Sequence, residues 1–397
     1  MSLTSYKPQF DNAYQEVFQK VLVAKSIANL RFEPVLKFGA SVQRVSYDIS
    51  NVRVRTVTRG AASTIDTITD SNETLTVNLE KEAVFHISDG EVTQTGPLNP
   101  GEVIGAQVAI KVAIDLDARV FGEVINALYT FDNGDLTGTA ATGVPITLSS
   151  TTVPQMVTRM PAKLRRLNNQ QIMTNMALVV DSYGAADIAQ YLLGKNIDLA
   201  GSVFKNGYTD VVSNAKMYVS ENLTGTVVGT TTGVFSDGET VVINGVTFTA
   251  KTSIGATPGN FLIGGSAAVS LTNLAGLINN PSVTNANQVA LSAADQLTLT
   301  DTLKATAVAA TTTITVTMVG SGRPVVSETG ANFSTAQYIH AYFGKVGAID
   351  LVVQDLKEVD MRATTDRRGT NVFTSYLAGL KTFADGKKKF LDVWIAA

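Results

Sequence analysis

The side chains able to do chemistry are few: two histidines, His86 and His340, and no cysteine at all. That removes thiolate nucleophiles, disulfide frameworks and cysteine metal sites, and it suits a reducing compartment. A histidine-rich metal site or a Ser-His-Asp relay has little to draw on. His86 falls on the polar face of a strand-like run, and His340 sits in YIHAYFG, where a hydrogen-bonded structural histidine is expected. Around Ser182 the segment VDSYG has Val180 where a nucleophile elbow needs glycine, so Ser182 reads as a helix cap. GKKKF at Gly386 lacks the Ser or Thr and the upstream glycine of a phosphate loop. GSGRPV at Gly320 lacks the third glycine of a dinucleotide fingerprint. DNGDL at Asp132 opens like a calcium loop without its closing Glu, so an Asx-type turn is expected. Lys387-Lys388-Lys389 reads as a solvated turn rather than a phosphate contact. No carboxylate pair stands out as a glycosidase couple. The sequence therefore offers no catalytic, metal or cofactor-binding residue, and the expectation is a non-enzyme without cofactors.

What remains must be a scaffold. Over 397 residues, 45% are hydrophobic and 16% charged, which fits ordered globular units, two or three of them by length. The net charge of −3 disfavours a protein that coats nucleic acid through bulk positive charge. MSLTSYKPQF has no basic stretch followed by an apolar one, so neither a secretory signal nor a removed propeptide is expected. The apolar run Val103 to Ile110, broken by Gly105 and Gln107, is far short of a membrane span.

Asp11 to Leu30 reads as a helix, with Asp11 as cap and Ala13, Val17, Val21, Leu22 and Ala24 as its stripe. Next comes VRVRTVTRGAASTIDTITD, residues Val52 to Asp70, two strand-like runs facing each other across Gly60-Ala61-Ala62-Ser63 with little apolar material to bury. From Leu75 to Ile87 apolar residues hold the odd positions, and a strand from Thr74 to Ser88 would span roughly 45–50 Å. A ribbon that long is marginal alone in water and needs support from outside itself.

A long helix follows from Pro100 to Leu128, about 43 Å, capped by Asn99 with Glu102 in its first turn. Lys111, Asp115, Arg119 and Glu123 recur every fourth residue with alternating sign, a stripe expected to face solvent or another subunit. Thr151 to Leu167 is a helix signal expected to break or kink at Pro161. Met176 to Val180 is a buried strand running into a helix capped at Asp181 or Ser182 and stopped by Gly194, and NAKMYVSENL is another strand.

From Thr224 to Gly320 the composition turns Thr- and Gly-rich, with only six charged residues: Asp237, Glu239, Lys251, Asp295, Asp301 and Lys304. ETVVINGVTFTAK predicts a type I′ hairpin at Asn244-Gly245, and Leu271 to Ile278 a helix. The short strands suggest an inserted β-sandwich of immunoglobulin type, whose removal should leave a foldable core. The tail offers strands in NVFTSYLAGLKTF, a turn at Asp385-Gly386 and a closing strand KKFLDVWIAA.

FGASVQRVSYDISNVRVRTVTRG with DSNETLTVNLEKEAVFHIS, the Pro100 helix directly after, and the close LVVQDLKEVDMRATTDRRGTNVFTSYLAGLKTF together resemble the major capsid protein of tailed double-stranded DNA bacteriophages, the Hong Kong 97-type α+β fold. The resemblance covers about 300 residues and leaves out the insert. It implies an N-terminal arm (1–37), an extended hairpin loop (38–92), a peripheral domain (93–150 and 350–397) with spine helix 100–128, an axial domain (151–223 and 321–349) and the insert (224–320). It further implies a hairpin laid over a neighbouring subunit, with Arg53, Arg55, Arg59, Asp66, Asp70 and Glu73 in polar contact there. The partners implied are other copies in pentamers and hexamers, scaffolding and portal proteins, and packaged double-stranded DNA, in a virion assembled in the bacterial cytoplasm and without membrane. The namesake's covalent link uses a hairpin lysine, and none occurs between Asn51 and Glu80, so no such cross-link is expected. A phage tail or adhesin-type structural protein and an encapsulin-like compartment stand as alternatives.

Overall fold

The computed structural model describes residues 22–34, 36, 40–48, 52–56, 59, 65–88, 100–138, 143–167, 174–193, 211–212, 214–299, 305–310, 312–318, 326–330, 333–356, 360–363 and 368–396. Its elements begin with α1 (Ala24–Ile27), β1 (Ser41–Asp48), β2 (Thr69–Thr76), β3 (Leu79–Ser88), α2 (Pro100–Gly122), β4 (Tyr129–Phe131) and α3 (Asn133–Thr137). They continue with α4 (Thr152–Leu167), β5 (Met176–Val180), α5 (Ser182–Leu193), β6 (Val211–Val212), β7 (Ala215–Val219), β8 (Gly225–Thr231), β9 (Thr240–Ile243), β10 (Val246–Lys251) and β11 (Asn260–Leu262). Then come α6 (Ala267–Asn279), α7 (Ala293–Leu297), β12 (Ala305–Ala309), β13 (Thr313–Met318), β14 (Val326–Glu328) and β15 (Phe333–Lys345). The last are β16 (Asp350–Leu356), β17 (Asp360–Ala363), β18 (Gly369–Lys381), α8 (Ala384–Lys387) and β19 (Phe390–Ala396). They form two compact units, one from the described residues of 27–110 and 346–389, the other from those of 22–26, 111–345 and 390–396.

In the first unit β18 is the central strand, paired with β16, β17 and β3. The expected single strand from Thr74 to Ser88 is instead two strands in two sheets: β2 pairs with β1, β3 with β18, and the chain changes partner at Val77-Asn78. The cause is local packing. Leu75 and Val77 turn into a core with Leu36, Val352 and Phe383, and Gly379 lets the backbones meet there, since a Cβ on it would lie 2.7 Å from the Thr76 carbonyl oxygen. Val52 to Thr56 and Ile65 to Ile68 belong to no ladder. The helix expected to reach Leu30 ends at Ile27, because Asn29 is recruited as a strand edge: its N–H donates to Ile349 O at 2.7 Å. The rest of that helix, Asp11 to Val21, lies outside the described residues, as do Asn99 and Gly194.

The second unit is built on a sheet ordered β12-β13-β8-β15-β5-β7-β6, with β19 on β15 and β4 parallel to β19. β15 is its organising strand. Phe333 to Ile339 pair with β8, while Tyr338 to Gly344 pair with β19 and Tyr342 to Lys345 with β5. The closing strand therefore belongs to this sheet.

Helix α2 ends at Gly122 and tightens into a 3-10 turn, Glu123–Asn126. Its charge stripe is not wholly outward: Arg119 is buried and pairs with Asp115 at 3.0 Å, since its aliphatic stem packs inside while the carboxylate satisfies its head. Helix α4 runs unbroken through Pro161, held by the buried stripe Val153, Met156, Met160 and Leu164. Asp181, not Ser182, caps α5: its carboxylate accepts the Gly184 N–H at 3.0 Å, while the Ser182 N–H donates to Glu221.

The Thr/Gly-rich region forms a sheet ordered β11-β10-β9-β14 over a core of Phe235, Val241, Ile243, Phe248, Phe261 and neighbours. Asn244 (φ 51°) and Gly245 (φ 86°) make the left-handed pair that the sequence predicts. An immunoglobulin-type sandwich would be antiparallel throughout. Here β10 and β11 are parallel, and Leu271, Leu274, Leu277 and Ile278 drive α6 into the core. Thirteen residues between β11 and the later strands form a helix because their apolar positions recur at helical spacing. The same core takes in Val326 and Phe333, beyond Gly320, and its strand β8 is shared with the main sheet.

Candidate assembly surface

The hairpin is anchored at its root and exposed in the described residues beyond β1. In the β1–β2 ladder Arg44 lies opposite Glu73, and each reaches out of the ladder to the turn α8. Arg44 Nη2 is 2.6 Å from Asp385 Oδ2, with its guanidinium 5.1 Å from the Phe383 ring centroid. Glu73 accepts the Ala384 N–H at 2.9 Å, and Lys381 Nζ donates to the Thr74 carbonyl at 2.8 Å. Lys389 also reaches Asp385, at 2.8 Å. Burial works to raise the Asp385 carboxyl, but the hydrogen bonds and charges of Lys389 and Arg44 hold it below the usual carboxylate range. Beneath it Asp350 is buried, and burial pushes its carboxyl up to about 6 despite the Asn29 amide donating to it at 2.5 Å.

Beyond β1 the chain is exposed. Arg53 donates its backbone N–H to Asp66 Oδ2 at 2.9 Å, and the Arg55 guanidinium pairs with the other oxygen of the same carboxylate. Of the six expected contact residues, the structure thus joins Arg53, Arg55 and Asp66 to one another, turns Glu73 inward to Ala384, and leaves Arg59 and Asp70 exposed. Sequence reading by charge missed the apolar members. Val54 is 105% exposed, Ile65 89%, Ile68 56% and Val52 50%, four large aliphatic side chains on one short stretch. Val52 and Val54 alternate in the sequence, a signal that identifies them; Ile65 and Ile68 carry no such spacing. Exposed aliphatics of this kind mark an interaction surface.

One interior cluster has the form of a catalytic relay. His340 Nε2 is 2.7 Å from Thr226 Oγ1, and its Nδ1 is 2.8 Å from Asp392 Oδ2, with Trp394 Nε1 donating to the same oxygen at 2.8 Å. All three members of the relay are buried, His340 at 3% exposure. Thr226 also meets Thr317, so its hydroxyl is occupied on both sides. The arrangement crosslinks β8, β15 and β19 inside the sheet, and His340 has the structural role expected from the sequence. The DNGDL segment is likewise structural: Asp132 accepts the Gly134 N–H, and Asp135 accepts that of Asp132, as a capping box on α3.

No protein-family model matches the chain, and no curated protein matches it significantly. Among solved structures it is similar to the capsid of Cyanophage P-SCSP1u, with 10% identity, 94% of this chain and 88% of that one covered, and a TM-score of 0.50. It is also similar to a structure from Mycobacterium phage Che8 (12% identity, 93% and 90% covered, TM-score 0.49) and to the mature capsid of bacteriophage PhiM1 (12%, 89% and 82%, 0.44). At such identity the cyanophage likeness speaks for the fold, and the chain has the mixed α+β, Hong Kong 97-type fold of phage capsid structures.

Proposed function

We propose that this chain is the major capsid protein of a tailed phage, assembling as pentamers and hexamers into the icosahedral shell around a double-stranded DNA genome. The observation that carries the proposal is the hairpin. Its root is clamped to α8 and β18, yet Val54, Ile65 and Ile68 project beyond it, exposed, with no cover among the described residues. A monomeric protein has no use for such a surface, and a shell subunit does. Arg53, Arg55, Arg59, Asp66 and Asp70 then frame the apolar patch and set register on the neighbouring copy, while Glu73 is held by Ala384 at the root. The cyanophage capsid likeness supports the same reading over nearly the full length of the chain.

In this proposal residues 1–37 are the arm and 38–92 the extended loop, the α+β insert projects from the axial domain, and its limits lie at β8 and β15. Scaffolding and portal partners, assembly in the host cytoplasm and a non-catalytic role belong to the same reading. Negative-stain electron microscopy of the expressed chain, with and without a candidate scaffold, tests it. Closed shells or shell fragments are expected; small uniform oligomers under every condition would move the assignment to a tail or adhesin protein. Shells that enclose protein in place of nucleic acid would favour the encapsulin-like alternative.

A further inference from the structure

Helix α4 reads TVPQMVTRMPAKLRRL, with four basic residues and no acidic one in a chain whose net charge is −3. Val153, Met156, Met160 and Leu164 bury one face completely. The opposite face therefore presents Thr158, Arg159, Ala162, Arg165 and Arg166, all exposed. Lys163 is not part of it. Its Nζ sits 2.7 Å from both Asp135 oxygens and 2.6 Å from the Thr130 carbonyl, so that lysine is neutralised within the fold. Arg159 donates to the Asp135 backbone carbonyl at 3.1 Å, its one hydrogen bond among the described residues, which orients the guanidinium without cancelling its charge. Arg165 and Arg166 have no ion-pair partner among the described residues.

From these positions we infer that the exposed face of α4 binds the phosphate backbone of duplex DNA, an inference that rests on the capsid reading for the source of that DNA. Arg159 and Arg166 are seven residues apart, about 10 Å along the helix, comparable to three nucleotides at roughly 3.4 Å per strand step. Arginine presents a planar fork suited to phosphate oxygens. Among the described residues the exposed carboxylates are single, or paired along one strand as Glu80 and Glu82 are, and offer no continuous row of negative charge to match this face. Three arginines give weak contact without base recognition, which suits a wall that touches packed DNA and does not grip it.

The test is fluorescence anisotropy of a labelled 24-base-pair duplex with the full-length subunit, from 25 to 200 mM salt. Replacing three exposed arginines, R159Q/R165Q/R166Q, should lower affinity at least tenfold at low salt and reduce the slope of log K against log salt by about 2–3, at 0.9 per phosphate contact. The control K387Q/K388Q should leave both unchanged. An unaltered slope in the triple variant overturns the inference. So does a triple variant that melts normally and keeps its DNA affinity but no longer assembles, which would make α4 a contact between copies. Shell formation by the wild type is scored separately by microscopy. Its failure would sink the capsid reading while the anisotropy result still decides whether α4 binds duplex.

Discussion

Arg44 and Asp385, 341 residues apart in sequence, meet at 2.6 Å and fix where the hairpin leaves the sheet. Their side chains are about one-third exposed (34% and 33%), so the pair belongs with partly screened ion pairs. Arg44→Ala is expected to lower unfolding free energy by only about 0.5–1 kcal/mol. Its effect on shell yield should be larger, because the orientation of the hairpin is released. Thermal melts and shell counts on the same preparation check both parts; a large stability loss with normal yield would contradict the clamp.

The bare aliphatics give the reverse pattern to a core substitution. Val54→Ser with Ile65→Ser removes side chains that touch water in the isolated subunit, so the melting temperature should stay within about 1 °C. Each side chain buried between copies is worth about 1.5–3 kcal/mol, so assembly should shift strongly toward free subunits. Sedimentation velocity resolves the two populations. Unchanged assembly would remove Val54 and Ile65 from the interface.

Asp117 supplies a pH dependence of defined sign. It is wholly buried on α2 and accepts the N–H groups of Val23 and Ala24 at 3.1 and 3.0 Å, yet burial raises its carboxyl to about 6. The folded state then holds the proton to a higher pH than the unfolded chain. The stabilisation is complete below about pH 4 and is lost as pH rises through about 6, by about 2–3 kcal/mol for a shift of two units. The difference in unfolding free energy between wild type and Asp117→Asn should fall by that amount from pH 4 to 7 and be flat above. A difference constant over that range rejects the assignment.

His340 holds a network with no solvent to replace it. His340→Leu leaves the Asp392 carboxylate with Trp394 alone and should destabilise the fold by about 3–5 kcal/mol. Thr226→Val, which removes one hydroxyl, should cost about 1–3 kcal/mol. Burial, and then the charge of Asp392, push the Tyr338 phenol up to about 12 against an opposing Thr226 hydrogen bond. Its ultraviolet titration in the folded protein should therefore lie well above that of an exposed phenol and move down in Asp392→Asn. Denaturant titration of each variant provides the energies.

Removal of the insert now has a specific boundary. Cutting out Thr224 to Gly320 takes β8 away from β15 and strips the partner strand from Phe333 to Ile339, so that deletion should be insoluble. Thr231 and Phe333 face each other across the ladder, and an Asn-Gly turn joining them should preserve both strands. A soluble product from the first deletion, or an unfolded one from the second with Phe333 made polar, would place the boundary elsewhere.

Much of the architecture was legible because its signals are local. The Asn244-Gly245 turn, the uninterrupted helix after Pro100 and the apolar run Met176 to Val180 each carry their reason within a few residues. The failures came where a distant chain decides. Thr74 to Ser88 alternates like one strand, and only Gly379 and Phe383 explain why it divides. Pro161 should interrupt a helix by its own chemistry, and four buried side chains overrule it. Leu271 to Ile278 was legible as a helix and lies within α6, while the β-forming threonines around it suggested a purely β insert. At the hairpin, charge was visible and exposure was not: Arg53 and Asp66 satisfy each other, and Ile65 is 89% exposed with no cover among the described residues.

The division at Val77-Asn78 has a mechanical consequence. β3 is bonded to β18 through ten successive pairs, Leu79 with Ala378 to Ser88 with Gly369. Tension drawn along β3 through the hairpin loads those pairs in shear, all at once, the direction in which a ladder resists most. The two-residue joint outside both ladders is no free hinge: the Val77 N–H donates to the Ala40 carbonyl at 2.9 Å, and its side chain is buried with Leu36, Val352 and Phe383. Load entering through β1 and β2 is therefore handed across a buried corner to the β3–β18 ladder rather than absorbed by bending between them.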